Sequence, residues 1–141
     1  MVRFHSAQVD DRGVVELLST AAGGQSGRPE AVMRRYRDDP TVALIAATVA
    51  DRMVGVVGYE AHDDRIVPLH IATHTAHRRR GIARQLLTVV ASRRPGRVSV
   101  AETDREIVGF YIALGYTATS LGQTDPGVER FSVCLRPDSA Q

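Results

Sequence analysis

The eight residues His77-Arg78-Arg79-Arg80-Gly81-Ile82-Ala83-Arg84 constrain this chain more than any other stretch. Beyond Gly81, apolar residues Ile82, Ala83, Leu86, Leu87 and Val90 recur at helical spacing until Pro95-Gly96 stops the pattern, so a helix is expected from Gly81 to about Ser92. A helix start leaves its first amides unpartnered and normally recruits Ser, Thr, Asp or Asn to cap them. None stands here. Three consecutive arginines also oppose the amino end of the helix macrodipole, which carries about half a positive charge. An anion offsets both penalties: a phosphate can accept hydrogen bonds from amides around Arg80 to Ala83, and Gly81 and Ala83 leave room for the backbone to approach it. The physical reading is a pyrophosphate site at a turn into a helix, set against the plainer alternative of a solvated basic turn.

At 141 residues the chain has the size of one domain, expected over residues 1–136 with a short tail at 137–141. Val2 to Ala7 reads as a strand, and Asp10 or Asp11 can cap a helix with Val14, Val15, Leu17 and Leu18 on one face, ended at Gly23-Gly24. Gly23 to Gly27 reads as a loop, and Pro29 opens a second helix through about Arg37. Thr41 to Val49 and Met53 to Glu60 form a strand pair joined by Ala50-Asp51-Arg52. Ile66 to Thr73 is a further strand in which Pro68 favours a bulge or an edge. Downstream of the Gly81 helix, Arg97 to Ala101 is a short strand and Arg105 to Leu114 a helix ended by Gly115. Two strands then close the chain around Asp125-Pro126-Gly127. The order is βααβββαβαββ, an α/β (α+β) class with seven strands and four helices.

Composition removes several function classes. The longest apolar stretches, such as Thr41 to Ala50, are about half of the ~20 residues a membrane span needs, and no secretory signal is visible, so a cytoplasmic protein without membrane partners is expected. Cys134 is the single cysteine, in the alternating stretch Phe131 to Leu135, and reads as structural. His5, His62, His70, His74 and His77 show no metal-ligand spacing, so no metal is expected. All 18 basic residues are arginine, yet 16 acidic residues leave a net charge of only +2. With no Trp and 5% aromatics, little remains for base stacking, which argues against a nucleic-acid partner even though His77 to Arg84 could neutralise phosphates.

Arg78-x-x-Gly81-x-Ala83, placed between a strand and a helix, resembles motif A of the GNAT superfamily of acetyl-CoA-dependent N-acetyltransferases, (Arg/Gln)-x-x-Gly-x-(Gly/Ala). Downstream, Asp104 is followed six and seven positions later by Phe110-Tyr111 and then by Gly115-Tyr116, similar to the family's motif B. The order of elements matches from first strand to last. The resemblance implies the GNAT fold, a mixed and mostly antiparallel sheet flanked by helices. It also implies acetyl-CoA as acyl donor, held by Ile71, Ala72 and Thr73 at the fourth strand's end, by Arg78 to Arg84 (Arg78, Arg79, Arg80, Gly81, Ile82, Ala83 and Arg84), and by Asp104. It further implies direct transfer to an amine, with a strand-end amide within Ile71 to Thr73 stabilising the carbonyl oxygen and Tyr111 as general acid. Helix geometry independently puts Asp104 and Tyr111 two turns apart, on one face if the helix begins at Asp104, and makes Phe110, between Ile107 and Leu114, core filling.

The chain departs from the family pattern at Thr73-His74-Thr75, where Val-Asp-Pro is common, and at Asp104, where Asn is commoner. Ionised Asp104 accepts but cannot donate a hydrogen bond. The amine must lose a proton before attack, and Glu102, His70, Glu60 or a water relay are the candidate bases. The acceptor is an amine of a small molecule or a peptide, met near Gly23 to Gly27 and Gly122 to Val128, where Asp125 and Glu129 could receive a cation. A homodimer is compatible with all of this. A non-catalytic acyl-CoA sensor on the same fold is the competing reading, and Tyr111→Phe separates the two.

Overall fold

A computed structural model describes residues 1–20 and 29–137, without the side chains of Pro29, Thr124 and Asp125. The expected loop at Gly23 to Gly27, residues 138–141 of the expected tail and the Asp125 side chain lie outside the described residues, and the first helix ends at Leu18 rather than at Gly23-Gly24. Seven strands appear in the expected order: β1 (Arg3–Ala7), β2 (Val42–Val49), β3 (Arg52–Ala61), β4 (Arg65–Thr73), β5 (Val98–Asp104), β6 (Thr117–Asp125) and β7 (Val128–Leu135). Four helices interleave them: α1 (Val14–Leu18), α2 (Pro29–Asp38), α3 (Ile82–Arg93) and α4 (Arg105–Ala113). The strands make one sheet in the order β1-β2-β3-β4-β5-β7-β6, antiparallel except for the β4–β5 pair.

Two apolar clusters sandwich the sheet. On one face Val14, Leu17 and Leu18 of α1 pack with Leu44, Val56 and Ala72, and Met33 and Tyr36 of α2 lie against them. On the other face Ile82, Leu86 and Val90 of α3 and Tyr111 of α4 pack with Ile45, Val57, Ile71 and Val133. Ile82, Leu86 and Val90 are buried, and burying such side chains contributes about 1.5–3 kcal/mol apiece, against about 1 kcal/mol for a missing cap. Packing therefore holds α3 in place although no side chain among the described residues caps it.

Several local expectations are corrected. Asp10 and Asp11 do not cap α1: its N-cap is Gly13, Asp11 instead accepts from the Gln8 amide at 2.8 Å, and Val15 is exposed rather than on the buried face. A five-residue helix buries only one narrow stripe, here Val14, Leu17 and Leu18. Arg52 belongs to β3, so Val49 pairs with Arg52 across a two-residue turn whose Ala50 and Asp51 both take positive φ, as the strand twist favours. A 3-10 turn at Thr75–His77, unmarked by periodicity, joins β4 to the arginine run. β5 continues three residues beyond Ala101 to Asp104, because β7 pairs with it along that whole length.

The feature that shapes the site is a split. β4 and β5 pair only at Arg65↔Val98 and Ile66↔Ser99, and beyond these residues β4 has no partner on that side. Pro68 marks the place: the register shifts between Gly58 and Tyr59, leaving Leu69 unpaired as a bulge, and the open edge begins beside it.

Candidate active site

The open edge of β4 presents particular amides. Thr73 lies opposite Gly55 and the His74 amide donates to the Val54 carbonyl at 2.7 Å, which makes Thr73 and Gly55 a non-hydrogen-bonded pair. By the alternation of an antiparallel ladder, Thr73 and Ile71 direct their N–H groups away from β3, toward the side that β5 has left. The Thr73 carbonyl is taken by the Arg78 Nε at 3.2 Å, so this arginine ties the strand end to the loop that follows.

That loop turns into the left-handed region at Arg79 (φ 66°) and again at Gly81 (φ 76°), the N-cap of α3. A left-handed arginine costs about 1–3 kcal/mol and is held only where its surroundings fix it. Among the described residues, the amides of residues 79–84 meet no acceptor, and no side chain caps the helix. A Cβ built on Gly81 would meet nothing within 4 Å, so the backbone there stands open to a large ligand.

A cavity of about 570 Å³ runs from this loop along the split to α4. Ten of the residues expected to bind or react line it: Ile71, Ala72, Thr73, Arg78, Arg79, Gly81, Ile82, Ala83, Arg84 and Tyr111. Arg84 also donates to the Ala113 carbonyl at 3.3 Å, joining the start of α3 to the end of α4 across the cavity. Cationic side chains and open amides at one end, and apolar Ile71, Ile82, Ile107, Phe110 and Leu114 along the wall, fit a diphosphate followed by a long, largely apolar arm.

Tyr111 is 6% exposed, with its ring edge-on to Phe110 at 5.3 Å and to Tyr116 at 5.1 Å. Its hydroxyl takes no partner among the described residues, yet it is not among the sealed, unsatisfied polar atoms, which are His77 Nδ1 and Thr103 Oγ1. The phenol therefore reaches the cavity. Burial, and secondarily Tyr116, push its pKa well above that of a free tyrosine, so it carries its proton at neutral pH. Tyr116 is anchored by a 2.7 Å hydrogen bond to Ser99.

Three expected residues lie outside the lining. Arg80 is exposed beside it. Glu102 is exposed on β5, opposite Ser132 of β7. Asp104 does not share the cleft with Tyr111: its Oδ1 accepts from the Ile107 amide at 3.1 Å as the N-cap of α4. The helix starts after Asp104, so the cap residue is not on the face two turns below Tyr111. Phe110 corrects the opposite way. It is 36% exposed and lines the cavity instead of filling the core. The Ile107, Phe110, Tyr111 and Leu114 stripe was readable in the sequence, but what it faces is a cleft. His77, Thr20 and Ala113 also line the cavity without a sequence signal.

Of the other candidate bases, Glu60 is bound through Oε2 by Arg35 and through Oε1 by His62. His70 is 8% exposed, with its Nδ1 2.6 Å from the Tyr36 hydroxyl. Among the described residues no three His, Cys, Asp or Glu side chains gather as a metal site would require, and no helix is long and apolar enough to cross a membrane.

Residues 12–132 match the family model of the acetyltransferase (GNAT) domain. No curated protein matches the sequence significantly. Among solved structures the fold is similar to a Desulfovibrio desulfuricans protein assigned to the GNAT family, at 18% identity over 96% of this chain and 99% of that one, with a TM-score of 0.80. A GNAT-family acetyltransferase from Elizabethkingia anophelis, solved with acetyl-CoA bound, is 15% identical over 96% and 97% of the two chains, with a TM-score of 0.72. The Escherichia coli ribosomal-protein-S18-alanine N-acetyltransferase is 14% identical over 97% and 94%, with a TM-score of 0.73. At these identities the likeness is one of fold.

Proposed function

The chain belongs to the GNAT acetyltransferase family, and on that premise we propose that residues 1–136 act as one domain moving an acetyl group from acetyl-CoA to an amine of a small molecule or peptide, in the cytoplasm and within a ternary complex. The observation that carries this reading is a single cavity uniting the open edge of β4, the unpartnered amides of residues 79–84 and the accessible Tyr111 hydroxyl. When bound, coenzyme A supplies the acetyl group as a thioester, already activated for attack by a nitrogen lone pair.

The chain's own residues divide the remaining work. Amides 79–84, with Arg78, Arg79 and Arg84 beside them, hold the diphosphate, and this end of the site supplies most of the anchoring charge. Ile71, Ile82, Phe110 and Leu114 exclude water from the arm, which strengthens every dipole aimed at the carbonyl. The Ile71 and Thr73 amides, turned from β3, donate to the carbonyl oxygen where negative charge develops, an effect worth about 2.7–4 kcal/mol per donor in other acyl transfers. Tyr111 keeps its proton until the sulfur departs and then donates it. The phenolate left behind regains a proton, from the nitrogen of the adduct or from solvent, before the next turnover, and its raised pKa favours that return.

Calorimetry with coenzyme A should give one binding site per chain. Thiol release from acetyl-CoA should appear with at least one member of a panel holding benzylamine, spermidine, an aminoglycoside and a peptide with N-terminal alanine. Tyr111→Phe should lower that rate ~10²-fold while leaving the calorimetric affinity within about twofold. Binding without thiol release from any acceptor would turn the reading toward the acyl-CoA sensor.

A further inference from the structure

An amine acceptor arrives as an ammonium ion and has no lone pair until a proton leaves it. Glu102 is exposed on β5 opposite Ser132 of β7 and is not among the residues lining the cavity, and both oxygens of Glu60 are engaged by Arg35 and His62. His70 stands differently. One ring nitrogen, Nδ1, is fixed 2.6 Å from the Tyr36 hydroxyl, with the two rings edge-on at 5.6 Å and 62°. The other, Nε2, has no partner among the described residues and is not among the sealed polar atoms, although the residue is 92% buried by its 8% exposure. The fold makes room for this pair: Gly58 lies opposite His70 in the β3–β4 register, and a Cβ there would overlap the Tyr36 ring.

Position along β4 gives the pair its meaning. Ile71 packs in the cluster under α3, whereas Ala72 packs in the cluster under α1, so successive residues face opposite sides of the sheet. His70, bonded to α2, shares its side with Ala72, which lines the cavity, and lies about 6.8 Å back along the strand. The diphosphate end of the cavity is built by α3, on the other side. His70 is not itself among the residues lining the cavity; it stands behind Ala72, on the α1–α2 side from which an acceptor would reach the amides of Ile71 and Thr73.

We propose that His70 is the general base that deprotonates the acceptor amine and that Tyr36 is its positioning residue; the inference rests on the acetyltransferase reading above. Nδ1–H donates to the Tyr36 oxygen, which fixes the tautomer with the lone pair on Nε2. That lone pair takes one N–H proton from the ammonium, leaving a neutral amine and an imidazolium, and the imidazolium later returns its proton to solvent. The charged and titratable groups around the ring are Arg35 and Tyr36 on α2, Glu60 on β3 and His62 just after it, while α1 presents apolar Leu17 and Leu18 to this cluster. Burial, and secondarily the Arg35 charge, hold the imidazole below its ordinary pKa, so the base form prevails at neutral pH.

The test compares benzylamine, protonated at neutral pH, with hydroxylamine, which is not. His70→Gln should lower thiol release with benzylamine ~10²-fold and abolish the acid limb of its kcat/KM profile, while the rate with hydroxylamine stays within about threefold. Tyr36→Phe should shift that acid limb. Nitrogen-15 spectra of the histidine-labelled protein should place the His70 proton on Nδ1. Equal losses with both nucleophiles, no loss with either, or a proton on Nε2 would overturn the assignment of His70 and leave the acetyltransferase standing. If the native protein released no thiol with either nucleophile or with the panel, the acetyltransferase reading would fall and this inference with it.

Discussion

Gly81 carries two demands that no other residue meets together. Its φ of 76° lies where side chains with a Cβ are strained, and its backbone stands beside amides that meet no acceptor among the described residues. Gly81→Val should cost about 1–3 kcal/mol in urea unfolding and weaken coenzyme A binding at least ~10-fold, since the new side chain would occupy the approach to the amides. Unchanged affinity in calorimetry would move the diphosphate elsewhere. The neighbouring aromatic pair shows how finely position matters at this scale. Tyr111 is almost buried yet offers its hydroxyl to the cavity, whereas Phe110, one residue earlier, lies half out of the protein against the same space. The motif singles out Tyr111, but that Phe110 also lines the cavity was not legible from helical spacing, which placed it in the core.

Among the elements, α3 and α4 begin by opposite devices. Among the described residues no side chain caps α3, which relies on the burial of Ile82, Leu86 and Val90 and leaves its first amides without an acceptor. Gly55 assists, since a Cβ there would press on Ile82 at 2.9 Å and Leu86 at 3.3 Å. α4 is capped by Asp104, with an acidic Glu106 in its first turn to complement the macrodipole. Asp104→Ala should therefore destabilise the protein by about 1 kcal/mol in chemical unfolding and leave coenzyme A affinity within about twofold. A fall in affinity matching that of Gly81→Val would instead give Asp104 a place on the coenzyme arm, as its motif position implies. The two helices thus begin differently, one capped by a side chain and one not, although both carry charged residues near their starts.

Across the whole molecule, α2 is fastened to the sheet by Arg35, which pairs with Glu60 on β3 and with Asp39, while His62 holds the other oxygen of Glu60. The hydrogen bond from His62, and then the Arg35 charge, hold the Glu60 carboxyl below its ordinary pKa. A depressed carboxylate contributes stability above its unfolded value that is lost as pH falls through the folded value. Unfolding midpoints should therefore drop below about pH 4.3 more steeply in the native protein than in Glu60→Gln, and parallel curves would remove this fastening from the account. The order of elements was legible from local pattern, because periodicity reports whether a side chain is covered and turn residues report where the chain must reverse. The uncapped start at Gly81 was legible for the same reason: its chemistry lies within eight consecutive residues. The split was not, since it depends on β4 and β5 meeting for only two residue pairs some 33 positions apart, and on β7 entering the sheet between β5 and β6. Nor was the fate of the Ile107–Leu114 stripe, or the meeting of Tyr36 with His70 beneath Gly58. Each is settled by which surface arrives opposite a residue, and that surface comes from distant parts of the chain, brought there only when the two faces of the sheet are covered.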